Sequence, residues 1–118
     1  MPKKILIVDD DPVVLRYLES ILTDNGYETH KAASGVEAGE MVEKVMPDLI
    51  TLDLEMPEQW GPRFYRQMTK NKKLKDIPVI VISGLSGSKY SLPKAAAHLN
   101  KPFEQDQLLK LVGDLIGK

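Results

Sequence analysis

The sequence predicts an α/β protein built on a parallel sheet, and three observations support that prediction. Five short apolar runs recur along the 118 residues, and segments with helical periodicity separate them. The runs at residues 5–8, 49–52 and 79–82 are apolar or β-branched throughout, without alternation. Such runs are typical of strands buried on both faces of a parallel sheet. Strands that alternate with helices form βα units with right-handed crossovers.

The composition limits the class of protein. A chain of 118 residues is long enough for one domain with a buried core. Sixteen Lys and Arg against 17 Asp and Glu leave a net charge of −1, so no overall field favours nucleic acid or an anionic membrane. The absence of cysteine excludes disulfides, thiolate metal sites and thiol catalysis. No run approaches the length of a membrane span. We expect a soluble, cytoplasmic protein with no direct contact to nucleic acid and none to a membrane.

Turn and capping residues delimit the first strand and the first helix. The run at residues 5–8 is the first strand. Asp11 followed by Pro12 predicts a helix start, because an N-cap carboxylate accepts a backbone N–H and proline has no N–H to leave unsatisfied. Asn25-Gly26 predicts the end of this helix, since both residues tolerate a left-handed backbone.

The second unit begins with a weaker strand. Residues 27–31 are more polar than the other runs, which is typical of a strand at the edge of a sheet. Ser34 and Glu37 have the spacing of a capping box that opens a helix, and Met46-Pro47 closes that helix. The apolar residues expected on its buried side are Val36, Met41, Val42 and Val45.

The third strand occupies residues 48–53 and ends in the carboxylate of Asp53. A loop follows, and a helix is expected to restart at Pro62, because proline is favoured at the first helical position. Trp60 is the only tryptophan of the chain. Its place just before Pro62 predicts a partly exposed aromatic side chain in this loop.

Two more strands and a last helix complete the chain. Residues 77–83 form the fourth strand, which ends at the hydroxyl of Ser83, and residues 98–103 contain a short fifth strand that ends in lysine. Between these strands, two glycines and a proline in residues 84–97 disfavour a regular helix. Apolar residues within 108–116 recur at helical spacing and predict the last helix.

Four of the five strands end in a charged or reactive side chain. These side chains are Asp9 with Asp10, Asp53, Ser83 and Lys101. The carboxyl ends of parallel strands lie at one edge of the sheet, so the groups should meet in one pocket. Taken singly, each could instead end its strand in water. Together, three carboxylates repel one another unless a hard cation lies among them, and Mg²⁺ accepts carboxylate and phosphate oxygens. Asp53 is then a carboxylate nucleophile able to form an acyl phosphate.

In this order and spacing, the motifs resemble the response-regulator receiver family, the phosphoacceptor half of two-component signalling. The resemblance covers the whole chain and rests on ILIVDDDP at 5–12, Asp53 with Met56-Pro57 and Gly61, Ser83 after VIVI at 79–82, and KPF at 101–103. It implies a flavodoxin-like, doubly wound five-stranded parallel sheet with strand order 2-1-3-4-5.

The resemblance also implies a reaction and a metal. Asp53 would take a phosphoryl group from a histidine kinase or a phosphotransfer protein. Asp10, Asp53 and the backbone carbonyl of Glu55 would hold Mg²⁺, and Asp9 would act mainly through a bound water. The protein would thus be a signalling phosphoacceptor with self-catalysed phosphorylation and dephosphorylation, not a conventional enzyme.

Three further residues take roles from the resemblance. Lys101 would pair with the acceptor carboxylate and then with its phosphate. Ser83 would be the switch hydroxyl that moves to the phosphoryl oxygens, and His98 stands where the family usually has a switch tyrosine or phenylalanine. The rearranged surface would contact a downstream protein target.

The chain departs from the family pattern in two places. The connection from Ser83 to Lys101 is shorter than the family norm, which predicts a shortened or irregular fourth helix. Glu55 adds a carboxylate beside the site, where it could tune the lifetime of the phosphate or pair with Lys101 in the resting state. Nothing after residue 118 provides an output domain, so we expect a single receiver domain over residues 1–118.

Two other functions are compatible with parts of the pattern. A pseudo-receiver keeps the fold as an interaction module, but normally lacks an acidic or lysine site residue. A small Mg²⁺-dependent phosphohydrolase of the haloacid-dehalogenase type also uses an aspartyl phosphate. That family has Asp-x-Asp, however, where this chain has Glu55 at the second acidic position, and it needs a longer chain.

Overall fold

The computed structural model describes residues 2–56, 60–84 and 95–117, and these contain five strands and four helices. In chain order the elements are β1 (Lys4–Val8), α1 (Pro12–Asp24), β2 (Glu28–Ala32), α2 (Gly35–Val45), β3 (Leu49–Asp53), α3 (Trp60–Thr69), β4 (Val79–Ser83), β5 (Ala97–Asn100) and α4 (Gln105–Ile116).

All five strands are parallel, in the order β2-β1-β3-β4-β5. The predicted fold class and strand order are therefore confirmed. Every residue of β3 and β4 is buried, as the lack of alternation predicted. Among the described strands, the more polar β2 is paired with β1 alone and forms an edge of the sheet, as its composition predicted.

The core has two layers, one on each face of the sheet. On one face, side chains of β1 and β3 such as Leu6 and Leu52 pack against α2 and α3. On the other face, Ile7 and Leu49 pack against α1 and α4. Because successive residues of a strand point to opposite faces, a continuous apolar run supplies both layers. The sheet is thus covered by helices on both faces.

The predicted caps lie where the sequence placed them. The Asp11 carboxylate accepts the N–H of Val13 at 2.9 Å, directly before Pro12. Gly26, with φ of +91°, adopts the left-handed backbone that follows α1. Ser34 Oγ accepts the N–H of Glu37, but the Glu37 carboxylate reaches back to the N–H of Ala33 instead of Ser34.

Two predictions about side-chain placement are wrong. Val36 is 58% exposed, because α2 turns the small residues Gly35 and Ala38, together with Val42, towards the core. The loop position predicted for Trp60 is wrong, because the residue lies in α3, but its side chain is partly exposed as predicted. The Trp60 ring covers Gly35, where an added Cβ would overlap it.

The start of α3 also differs from the prediction, by two residues. Proline is tolerated at Pro62 because the N–H groups of a helix's first turn have no partner within the helix. The last strand is displaced by one residue from the predicted position, because it begins at Ala97. β5 ends at Asn100, and Lys101 is the first residue after it.

Gly61 allows α3 to begin directly against the end of β3. A Cβ on Gly61 would lie 2.7 Å from the carbonyl oxygen of Asp53 and 3.1 Å from Cα of Leu54. We expect Gly61→Ala to lower the free energy of unfolding by about 1 to 3 kcal/mol, measured by urea unfolding. Gly113→Ala in α4 is the control, since no atom lies within 4 Å of its added Cβ. That variant should gain about 1 kcal/mol from helix propensity, so a loss of equal size in both would contradict the close approach.

The shortened or irregular helix predicted between Ser83 and Lys101 falls on residues 85–94, outside the described residues. None of the helices in the described ranges combines the length and the apolar character that a membrane crossing requires.

Candidate functional site

The strand ends bring three of the predicted site residues to one edge of the sheet. In the parallel register, Val8 lies beside Leu52 and Asp53 lies beside Ile82, so the residues that follow β1 and end β3 are neighbours. Carboxylate oxygens of Asp9, Asp10 and Asp53 lie within 4.8 Å of one another.

Burial separates the three carboxylates. Asp9 and Asp53 are 1% and 3% exposed, whereas Asp10 is open to solvent. The pocket thus has two desolvated carboxylates at its base and one hydrated carboxylate at its rim.

Backbone N–H groups hold the two buried carboxylates in place. Asp9 Oδ1 accepts the N–H of Asp11 at 2.9 Å, and Asp53 Oδ1 accepts the N–H of Glu55 at 3.1 Å. Each bond spans two residues and is the Asx-type turn that aspartate forms where a strand ends. Both side chains are therefore oriented by their own chain before any partner binds.

Lys101 bridges the two buried carboxylates. Its Nζ lies 3.4 Å from Asp53 Oδ1 and 3.5 Å from Asp9 Oδ2. The N–H of Lys101 also donates to the Ser83 carbonyl, which fixes the start of the lysine side chain at the same edge. One ammonium thus faces two buried carboxylates and partly neutralises them.

The surroundings of the pocket raise the pKa values of its two buried carboxyls. Burial, with a smaller contribution from the Asp53 carboxylate, raises the pKa of Asp9 to about 6 against the opposing effects of the Asp11 N–H and Lys101. Burial also raises the pKa of Asp53, although the Glu55 N–H and Lys101 oppose that shift. Burial lowers the pKa of Lys101, but attraction to Asp53 and then Asp9 outweighs this, so the net pKa is raised. The ammonium of Lys101 therefore offsets only part of the effect of burial on the two carboxyls.

The Glu55 side chain contacts the end of β4 and makes no ion pair with Lys101 within the described residues. Ser83 Oγ donates to Glu55 Oε1 at 3.3 Å, and the N–H of Gly84 donates to the same oxygen. Lys101 is paired with Asp9 and Asp53 instead. Of the two roles suggested for Glu55, pairing with Lys101 is therefore not what the structure has.

Comparison with known proteins agrees with this geometry. A model of the response regulator receiver domain matches residues 5–113. The chain belongs to the response regulator receiver family. Protein Rrf1 of Nitratidesulfovibrio vulgaris is 38% identical over 112 residues, which is 95% of this receiver domain and 81% of that protein.

Two solved structures extend the comparison to the fold. The chemotaxis protein CheY4 of Vibrio cholerae superposes with a TM-score of 0.91 at 28% identity, covering 98% of this receiver domain and all of that chain. The receiver domain of the sensor histidine kinase PA1611 of Pseudomonas aeruginosa gives a TM-score of 0.89 at 25% identity, with both chains fully covered. That structure has a magnesium ion coordinated in its active-site cleft.

The two predicted switch positions lie on neighbouring strands of this receiver domain. Ser83 ends β4 and is buried, and its Cα is paired with that of Asn100. His98 is exposed on β5, beside Val81. The switching role of both residues stays a prediction, because the connection between them includes residues outside the described part of the chain.

An exposed apolar patch beside the pocket was not predicted. Val13 and Tyr17 on α1 are 62% and 48% exposed, and the Tyr17 ring centroid lies 6.1 Å from that of Phe103, two residues after Lys101. A signal for the patch was present in the sequence. Both α1 residues lie off the apolar stripe that α1 buries, so their exposure follows from helical periodicity.

The raised pKa of Asp9 predicts how the stability of this receiver domain depends on pH. The folded state holds the Asp9 proton more tightly than the unfolded chain, whose carboxyl has the ordinary pKa of 3.8. Stability of the metal-free protein should therefore fall as pH rises from about 4 to about 6, by at most about 3 kcal/mol for this group.

Urea unfolding at stepped pH, with a chelator present, tests this dependence. Asp9→Asn lacks the titrating carboxyl, so its free energy of unfolding should not decrease with pH for this reason. The free energy of unfolding of the variant minus that of wild type should therefore increase as pH rises. Parallel curves for the two proteins from pH 4 to 7 would contradict the raised pKa.

Proposed function

We propose that this receiver domain accepts a phosphoryl group on Asp53 from the phosphohistidine of a histidine kinase or phosphotransfer protein. The single observation that supports this function best is the arrangement around Asp53. A nearly buried carboxylate ends the central strand, one lysine pairs with it, and two further aspartates lie within reach of one cation.

The hydrogen bonds of Asp53 support a specific attacking atom. In the described part of the chain, both the Glu55 N–H and Lys101 Nζ approach Oδ1. This leaves Oδ2 as the oxygen that attacks phosphorus. An O–P bond forms there and the P–N bond of the phosphohistidine breaks. The donor imidazole leaves with the electron pair of that bond and takes up a proton. Lys101 stays beside the new acyl phosphate and pairs with its charge.

The donor set of the pocket fits Mg²⁺. Three carboxylates within 4.8 Å of one another supply the hard oxygen ligands that this ion prefers. Asp9, Asp10, Asp53 and the backbone carbonyl of Glu55 are the groups that would hold it, with Asp9 acting mainly through a water. When bound, the ion supplies positive charge that offsets the carboxylates and the incoming phosphoryl oxygens. The magnesium ion in the PA1611 receiver domain supports this assignment.

The patch of the exposed Val13 and Tyr17, with the half-buried Phe103 beside Tyr17, supports a protein as the phosphoryl donor. Exposed apolar side chains that cluster on one surface are typical of protein contacts. This patch flanks Asp10 and Lys101 along the chain, so a donor protein seated on it would bring its histidine to the pocket. Phosphorylation would then draw the Ser83 hydroxyl towards the phosphoryl oxygens, with His98 as the second switch position. The changed surface would bind a downstream protein target, and neither nucleic acid nor a membrane would be contacted directly.

Incubation with Mg²⁺ and acetyl phosphate, followed by intact mass measurement, tests the function. We expect a gain of one phosphoryl group that requires Mg²⁺ and is removed by hydroxylamine, which cleaves acyl phosphates. No mass change under any Mg²⁺ concentration would favour a pseudo-receiver. Continuous release of phosphate without an accumulating adduct would favour a phosphohydrolase.

A further inference from the structure

Glu55 occupies an unexpected place in the pocket, because its carboxylate holds two donors at the end of β4. The Ser83 hydroxyl and the Gly84 N–H both donate to Oε1. The approach is close enough that a Cβ on Gly84 would lie 3.1 Å from the same oxygen. Although Glu55 itself is exposed, its carboxylate is thus held by two hydrogen bonds.

The Ser83 hydroxyl and the Gly84 N–H lie beside the end of β3, the strand that ends in Asp53. The N–H of Leu54 donates to the carbonyl of Ile82, so the ends of β3 and β4 are joined immediately beside Asp53. Under the proposed function, a phosphoryl group on Asp53 would place anionic oxygens at this junction. Carboxylate and phosphoryl oxygens are both anionic acceptors, and both form charge-assisted bonds with hydroxyl and amide donors. One pair of donors therefore has two candidate acceptors.

We propose that Glu55 is an internal substitute for the phosphoryl group, which engages Ser83 and Gly84 until Asp53 is phosphorylated. This proposal rests on the proposed function, since it regulates the same site. The Glu55 carboxylate must release both donors before they can bind phosphoryl oxygens. Glu55 therefore weakens binding of a phosphoryl group or its analogue and holds the end of β4 in one arrangement in the resting state.

A matched pair of substitutions separates this contact from the charge of Glu55. Glu55→Asp keeps the negative charge but shortens the side chain, so the carboxylate no longer reaches Ser83 and Gly84. Glu55→Ala removes both the charge and the contact. Glu40→Ala is the control, because Glu40 is exposed on α2 and the substitution removes the same charge.

The first measurement is a titration with beryllofluoride, a phosphoryl analogue, in the presence of Mg²⁺. We expect both Glu55 variants to bind it more tightly than wild type, by about threefold to tenfold, which corresponds to the net contribution of one hydrogen bond. Glu40→Ala should match wild type. If Glu55→Asp matches wild type while Glu55→Ala binds more tightly, only charge matters and the proposal is overturned. Equal affinities in all four proteins overturn it as well.

The second measurement needs neither metal nor phosphoryl analogue. The Gly84 amide of the wild-type protein should be protected from hydrogen exchange and shifted downfield in the NMR spectrum. Both features should be lost in Glu55→Asp and Glu55→Ala and kept in Glu40→Ala. An unchanged Gly84 amide in the Glu55 variants overturns the proposal whether or not Asp53 can be phosphorylated. Wild-type protein that shows the amide contact but binds no beryllofluoride would instead count against the proposed function.

Discussion

Replacing Asp53 by asparagine is expected to reduce labelling by acetyl phosphate to background while the fold is kept. Asparagine has nearly the same shape as aspartate, and its carbonyl oxygen can still accept the Glu55 N–H that orients Asp53. An amide oxygen is neutral, however, and does not form an acyl phosphate. The substitution also removes a carboxylate whose pKa burial raises. The metal-free variant should therefore be more stable than wild type at neutral pH, by about 1 kcal/mol.

Intact mass measurement after incubation with acetyl phosphate and Mg²⁺ reports the labelling, and urea unfolding reports the stability. Asp24→Asn is the control, because Asp24 is exposed at the end of α1 and the substitution changes the net charge equally. This control should be labelled like wild type. An Asp53→Asn protein that gains a phosphoryl group at the wild-type rate would refute Asp53 as the acceptor.

Lys101→Met is expected to lower the free energy of unfolding of the metal-free protein by about 3 kcal/mol at neutral pH. Methionine is similar in length but uncharged, so Asp9 and Asp53 would lose the ammonium that lies 3.5 and 3.4 Å from them. Their pKa values in the folded state would rise further above those of the unfolded chain. The destabilisation should therefore be largest above the folded-state pKa values and should decrease as pH falls and the carboxyls are protonated.

Urea unfolding at pH 5 and pH 7.5, each with and without Mg²⁺, measures these differences. The metal should restore part of the stability of Lys101→Met at pH 7.5, since it binds the folded state and offsets the same charges. Lys110→Met is the matched control, because its partner Asp114 lies at a similar 3.4 Å but both side chains are exposed. Exposed ion pairs contribute little to the free energy of unfolding. Equal decreases in the two variants would therefore contradict a special contribution from the buried carboxylates.

Local patterns in the sequence were sufficient for most of the secondary structure. Runs without alternation became the fully buried strands β3 and β4, because a strand covered on both faces has no side that favours polar residues. Asp11 and Ser34 capped their helices because a capping bond joins residues two or three positions apart. The strand order, in contrast, followed only from the family resemblance.

The wrong placements concern how helices pack. Periodicity in α2 did not reveal that Val36 faces solvent while Gly35 and Ala38 face the core. The buried face of α2 includes Gly35, which Trp60 covers from a position 25 residues further along the chain. The spacing of apolar residues within a helix cannot indicate a contact with a residue this far away in the sequence.

The sequence by itself determined which side chains stand at the strand ends, because strand termini are local features and parallel strands share one edge. Only the tertiary structure decided that one lysine serves both Asp9 and Asp53, and that Glu55 holds Ser83 and Gly84 instead of Lys101. The raised pKa of Asp9 also follows only from the tertiary structure, because burial is its largest cause. Distances of a few ångströms and the exclusion of water arise when segments far apart in the chain pack together.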